Sequence, residues 1–148
     1  MILIEKVLLL KNSSIFRNCS ESDLCEIAMI SHELHLDKNV TLFSKGDTGN
    51  CMFFIYKGAI RISDEEHTLA ELSENEIFGE LSLLDSESRS ANVTTLTECI
   101  LLQIDQEPFY EIMATNTEIL KGIMSTLCRR LRETDKKTMD LVNALKVE

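Results

Sequence analysis

The sequence predicts a mainly β protein with flanking helices: an antiparallel β-barrel or jelly roll with N-terminal helices and a C-terminal helix. Three observations predict it. Residues 32–105 hold many short, evenly spaced runs of strand-forming residues. Residues 2–31 and 106–146 instead carry apolar residues at helical spacing. The chain is 148 residues long, the size of one domain over residues 1–148, and long enough to bury a substantial core.

The elements follow in order. Ile2, Ile4, Val7, Leu8 and Leu10 form the apolar stripe of a first helix. Ser20 and Asp23 give a capping-box-like start to a second, with Leu24, Ile27, Ala28 and Ile30 on its apolar side. Ile15 and Phe16 anchor the connection. Leu34, Leu36, Val40, Leu42 and Phe43 alternate like strand residues, and Met52–Tyr56 is dense in strand-formers. Lys57-Gly58 then predicts the turn of a hairpin into Ala59–Ser63. Gly46 and Gly49 sit in a polar turn, and Thr68–Leu72, Ser90–Thr95 and Cys99–Ile104 continue the strands. Pro108 lies in the first turn of a further helix, and Thr115 with Glu118 forms a second capping signal. The long last helix carries Leu120, Met124, Leu127, Leu131, Thr134, Thr138, Leu141 and Leu145 at heptad spacing. That stripe suits packing on the chain's own barrel, pairing with a second copy, or both, with the first half on the barrel and the second half free to pair.

Charge and composition exclude several functions. A net charge of −10 argues against general nucleic-acid binding, which needs a basic face. The small basic run Arg129-Arg130-Leu131-Arg132 reads as a solvated helix face. Five cysteines, Cys19, Cys25, Cys51, Cys99 and Cys128, show no C-x-x-C spacing and lie among apolar neighbours. They read as small buried hydrophobes of a reducing cytosol. His32, His35 and His67 present no converging ligand set, so no metal is expected. The apolar start is interrupted by Glu5 and Lys6 and does not read as a signal peptide. No run reaches the roughly 18–20 apolar residues of a membrane span. No nucleophile triad, P-loop or dinucleotide fingerprint occurs, and a non-enzymatic role is expected.

One stretch carries chemistry: Phe78-Gly79-Glu80-Leu81-Ser82-Leu83-Leu84, then a polar loop, then Arg89-Ser90-Ala91. A strand ends at a glycine, whose missing Cβ lets a ligand approach the backbone. A short helix follows, with its N–H groups free to face an anion. Arg89 offers a planar fork for a phosphate. Glu80, ionised, accepts hydrogen bonds, and a sugar hydroxyl is a suitable partner.

The combination F-G-E-L followed by R-S-A resembles the phosphate-binding cassette of cyclic-nucleotide-binding domains, as in the catabolite activator protein and the protein kinase A regulatory subunit. Ile15-Phe16, Lys45-Gly46-Asp47, Phe54-Ile55-Tyr56-Lys57-Gly58 and Pro108-Phe109 extend the likeness over most of the chain. The resemblance implies that Glu80 takes the ribose 2′-hydroxyl and Arg89 the cyclic phosphate. It implies that the backbone of Gly79, Leu81, Ser90 and Ala91 lines the ligand, with Phe78 opening the cassette. Ser90 would add a hydroxyl contact to phosphate or base. The C-terminal helix would be a lid over the purine, with Arg129, Arg130 and Leu131 as candidate base contacts. Ser88 stands where the family commonly has proline, which loosens the loop and lowers the expected affinity.

The resemblance thus implies a regulatory module for a cyclic purine nucleotide, cAMP or cGMP, signalling through its C-terminal helices. The alternative is a ligand-free interaction or oligomerisation domain of the same fold; a metal-dependent barrel enzyme is a third. Expected partners are the nucleotide, a second copy through the C-terminal helix, and a fused or docked effector domain. Direct nucleic-acid contact and membrane insertion are not expected. The length leaves no room for a helix-turn-helix domain, so the chain acts through a partner or is a piece of a larger protein.

Overall fold

Residues 1–146 are described by a computed structural model; residues 147 and 148 and the side chain of Leu81 lie outside the described part. The chain begins with α1 (Leu3–Lys11) and α2 (Glu21–Met29). Ser20 caps α2 as its spacing predicts, its hydroxyl accepting from the Asp23 N–H at 3.2 Å. The face of α1 differs from the expected stripe. Leu9 and Leu10 are buried, whereas Ile2, Ile4 and Leu8 are exposed. Apolar residues surround most of this helix, so periodicity does not select a face. The turn that follows does. Ser13 donates to the Leu10 carbonyl at 2.7 Å and accepts from the Phe16 N–H at 3.2 Å. That turn drives Ile15 and Phe16 inward, as expected of the connection. Phe16 is fully buried, stacked on Phe54 at 5.8 Å and edge-on to Phe109 at 5.9 Å.

Eight strands follow: β1 (His32–Leu36), β2 (Thr41–Phe43), β3 (Cys51–Lys57), β4 (Ile60–Asp64), β5 (His67–Leu72), β6 (Ile77–Phe78), β7 (Asn92–Thr95) and β8 (Cys99–Asp105). They pair antiparallel in two four-stranded sheets, ordered β1-β8-β3-β6 and β2-β7-β4-β5. This is the expected jelly-roll architecture. The expected hairpin at Lys57-Gly58 is not formed. β3 pairs with β8 and β6, while β4 pairs with β5 and β7, so the turn carries the chain from one sheet to the other. Gly58 adopts φ +99° there, and a Cβ would lie 2.4 Å from the Glu98 carbonyl, so the chain dives beneath a neighbouring loop instead of folding back.

β3 and β8 are covered on both faces, which explains the apolar runs Cys51–Tyr56 and Cys99–Leu102. Met52, Phe54, Leu102 and Ile104 face the helices and join Phe16 and Leu24 in one core. Phe53, Ile55, Cys99 and Leu101 face the other sheet and join Ile60, Phe78 and Val93. Thr95, fully buried, closes the loop before β2: its hydroxyl donates to the Asp37 carbonyl at 2.6 Å and accepts from the Val40 N–H at 2.8 Å. Thr95→Val keeps the shape and strands both partners. It is expected to cost about 1–3 kcal/mol, measured by urea denaturation.

A short helix, α3 (Glu80–Asp85), lies between β6 and β7. The chain ends in α4 (Gln106–Thr115) and α5 (Thr117–Lys146). Asn116, not Thr115, caps α5, accepting from the Glu118 N–H at 3.1 Å; Thr115 instead donates to the Ile112 carbonyl. The α4 first turn is tied to the end of α3. Gln106 donates to the Leu83 carbonyl at 2.8 Å, and the Tyr110 hydroxyl to the Leu84 carbonyl at 2.5 Å. α5 packs inward through Ile119, Ile123 and Thr126. Of the heptad stripe, Leu127 is half-buried against the same core, whereas Leu120, Met124, Leu131, Leu141 and Leu145 are exposed. Packing on its own core therefore accounts for Leu127 but not for the second half of that stripe, which is exposed from Leu131 onward. Cys19, Cys51 and Cys99 are buried as expected, whereas Cys25 on α2 is half-buried and Cys128 on α5 is exposed.

Candidate functional site

The cassette is assembled from β6, α3, the loop before β7 and the turn after β2. Gly79 enters α3 at φ +78°, and a Cβ there would lie 2.7 Å from Arg89 Nη1. Conformation and space both require glycine. The backbone of Arg89 is clamped to the polar turn: its N–H donates to the Asp47 carbonyl and its carbonyl accepts from Gly46, each at 2.8 Å. This pair fixes where the side chain starts.

The Arg89 side chain turns inward and is 6% exposed. Its Nη2 donates to the Cys51 carbonyl at 2.9 Å, and Nη1 reaches the Gly79 carbonyl at the long distance of 3.5 Å. The guanidinium carbon lies 4.2 Å from the centre of the Phe43 ring and 5.9 Å from that of Phe53. The Cys51 sulfur is 3.3 Å from Nη2, and burial pushes this thiol up, so at neutral pH it stays protonated and cancels none of the charge. Among the described residues no carboxylate pairs with Arg89. A buried cation normally has an anionic partner. Arg89 also lines an open cavity of about 350 Å³, together with Phe43, Phe78, Gly79, Glu80 and Ala91 among others.

Glu80 is half-buried at the start of α3. Its Oε1 accepts from Arg130 Nη1 at 2.8 Å, and Arg130 Nη2 donates to the Ser14 hydroxyl at 3.1 Å. Cassette, C-terminal helix and α1–α2 connection meet at this ion pair. The site thus offers a buried guanidinium for an anion and a carboxylate that accepts from a donor.

The sequence profile of the cyclic nucleotide-binding domain family matches residues 33–116. The chain belongs to that family. It is 26% identical over 139 residues to the CRP-like cAMP-activated global transcriptional regulator of Mycobacterium tuberculosis, covering 90% of this chain and 62% of that protein. The N-terminal domain of a transcriptional regulator from Streptomyces coelicolor superposes with a TM-score of 0.80 at 26% identity, over 88% of this chain and 94% of that one. The regulatory domain of Toxoplasma gondii PKA, solved with cAMP, gives 0.71 at 26% identity, over 74% and 44%. The chain spans 62% of the Mycobacterium tuberculosis regulator and 49% of the Thermus thermophilus cyclic AMP receptor protein, well short of their full lengths.

In this cyclic nucleotide-binding domain, Phe78, Gly79, Glu80, Arg89, Ser90 and Ala91 all line the one cavity. Leu81 lies in α3, and its side chain falls outside the described residues. The three lid candidates separate. Arg130 reaches Glu80, while Arg129 and Leu131 are exposed, and none of the three lines the cavity. Sequence reasoning missed Phe43, Cys51, Gly49 and Ser14. Gly49 packs flush on the site: a Cβ would fall 2.4 Å from the Ser82 hydroxyl and 2.8 Å from Arg89 Nε. Its place in the polar turn was visible, but its contact with a residue far along the chain was not.

Proposed function

We propose that this chain is a regulatory module that binds a cyclic purine nucleotide, cAMP or cGMP, and signals through α4 and α5. The observation that carries this reading is the buried guanidinium of Arg89, without a carboxylate partner among the described residues, at an open cavity. The cyclic phosphate supplies the anion, and Glu80 accepts from the ribose 2′-hydroxyl. Because Glu80 is held by Arg130, ribose and α5 address the same carboxylate. Nucleotide binding is therefore linked to the root of α5, and shifts its position by the difference in affinity for the two arrangements. The role is non-enzymatic. Among the described residues no three or more His, Cys, Asp or Glu side chains group into a metal ligand set.

The exposed heptad stripe of α5 supports a second copy as partner, with a fused or docked effector receiving the output. Five free thiols support a cytoplasmic setting, and no described helix is long and apolar enough to cross a membrane. A ligand-free oligomerisation domain is the second reading, favoured by the already occupied Glu80 and by Ser88 in place of proline. Thermal melts decide between them. Nucleotide at a hundred times its dissociation constant adds about 2.7 kcal/mol, a rise of several degrees. No shift with either cAMP or cGMP would select the ligand-free reading.

A further inference from the structure

We propose that Asp85 and Glu87 are specificity residues that favour a singly charged phosphate in the cavity over a doubly charged one. This rests on the cyclic-nucleotide reading of the same cavity and names the class of phosphate it admits.

The inference comes from the charge balance of the lining. Its cation is Arg89, and its carboxylates are Glu80, Asp85 and Glu87. Glu80 is neutralised by Arg130 at 2.8 Å. Asp85 and Glu87 are exposed at the rim, and among the described residues neither forms an ion pair. The loop keeps them there: Asp85 Oδ1 accepts from the Glu87 N–H at 3.0 Å, and Ser86 between them turns through φ +59°. One guanidinium thus faces one phosphate charge, and two carboxylates repel anything beyond it. A cyclic phosphodiester carries a single negative charge. An acyclic phosphate monoester carries nearly two above about pH 6. Arg89 meets the first charge in both, but the second enters a field already negative. The rim carboxylates are water-exposed, so their repulsion is modest per charge and is screened by salt more than the buried guanidinium.

The test compares cAMP with 5′-AMP by competition calorimetry at about pH 8, where the monoester is a dianion. Asp85→Asn/Glu87→Gln is expected to tighten cAMP about threefold and 5′-AMP about tenfold at low ionic strength. Both gains should shrink in molar salt, where the screening length is about 3 Å. Glu21→Gln/Glu26→Gln on α2, outside the cavity lining, changes the net charge equally and should leave both affinities unchanged. Circular dichroism confirms that each variant is folded. The assignment is overturned if 5′-AMP gains no more than cAMP or stays undetectable on the rim variant. It is overturned equally if salt leaves the gain intact or the α2 pair reproduces it. Wild-type protein that ignores cAMP sinks the nucleotide reading and this inference together; cAMP binding without the charge pattern sinks this inference alone.

Discussion

Alanine at position 89 is expected to weaken cyclic nucleotide binding by about 2–5 kcal/mol, roughly thirtyfold to several thousandfold. The phosphate enters the cavity without a buried positive charge. The Cys51 carbonyl loses its 2.9 Å donor in the free and the bound protein alike, which costs stability and not affinity. Arg89→Lys separates charge from shape. Lysine retains the cation but not the fork that spans the Cys51 and Gly79 carbonyls while lying on Phe43. An intermediate affinity is expected for lysine. Calorimetry with cAMP on both variants, each checked for its native dichroism spectrum, separates charge from shape. Wild-type affinity in the alanine variant would remove Arg89 from the phosphate site.

Phe16→Ala should cost about 3–5 kcal/mol of folding stability, a large share of the 5–15 kcal/mol typical of a domain. Phe16 is fully buried where the α1–α2 connection meets β3 and α4, and its ring touches Phe54 and Phe109. Alanine leaves a hole that three separate elements must close together, so collapse recovers little. Ile4→Ala on the exposed side of α1 provides the contrast, expected within about 0.5 kcal/mol. Denaturation midpoints of the two variants measure the difference. A comparable small loss for both would mean that the connection is not anchored through Phe16.

The legible parts of this molecule are those where local pattern and tertiary environment agree. Met52–Tyr56 reads as a strand because covering both faces of β3 demands apolar residues at every position. Ser20 marks the start of α2 because a cap is a local device. The candidate site residues are legible because they lie within one short stretch, and the geometry gathers the described ones around one cavity. Other features depend on partners remote in sequence. The Lys57-Gly58 turn looks like a hairpin until β8 and β7 claim the flanking strands. The inner seam of α5 runs through Ile119 and Ile123, whereas the stronger periodic signal belongs to a stripe of which Leu127 meets the core and Leu120, Met124, Leu131, Leu141 and Leu145 are exposed. The Glu80–Arg130 pair joins residues that local spacing could not connect.

The outward reach of α5 has a mechanical consequence. From Leu131 to Lys146 every residue is exposed, so this stretch is a rigid rod of roughly 24 Å fixed at Arg130. A tilt of about ten degrees at that pivot would sweep its far tip through roughly 4 Å. Angstrom-scale repacking beside Glu80 would thus emerge at the tip as a displacement wide enough to make or break a set of side-chain contacts.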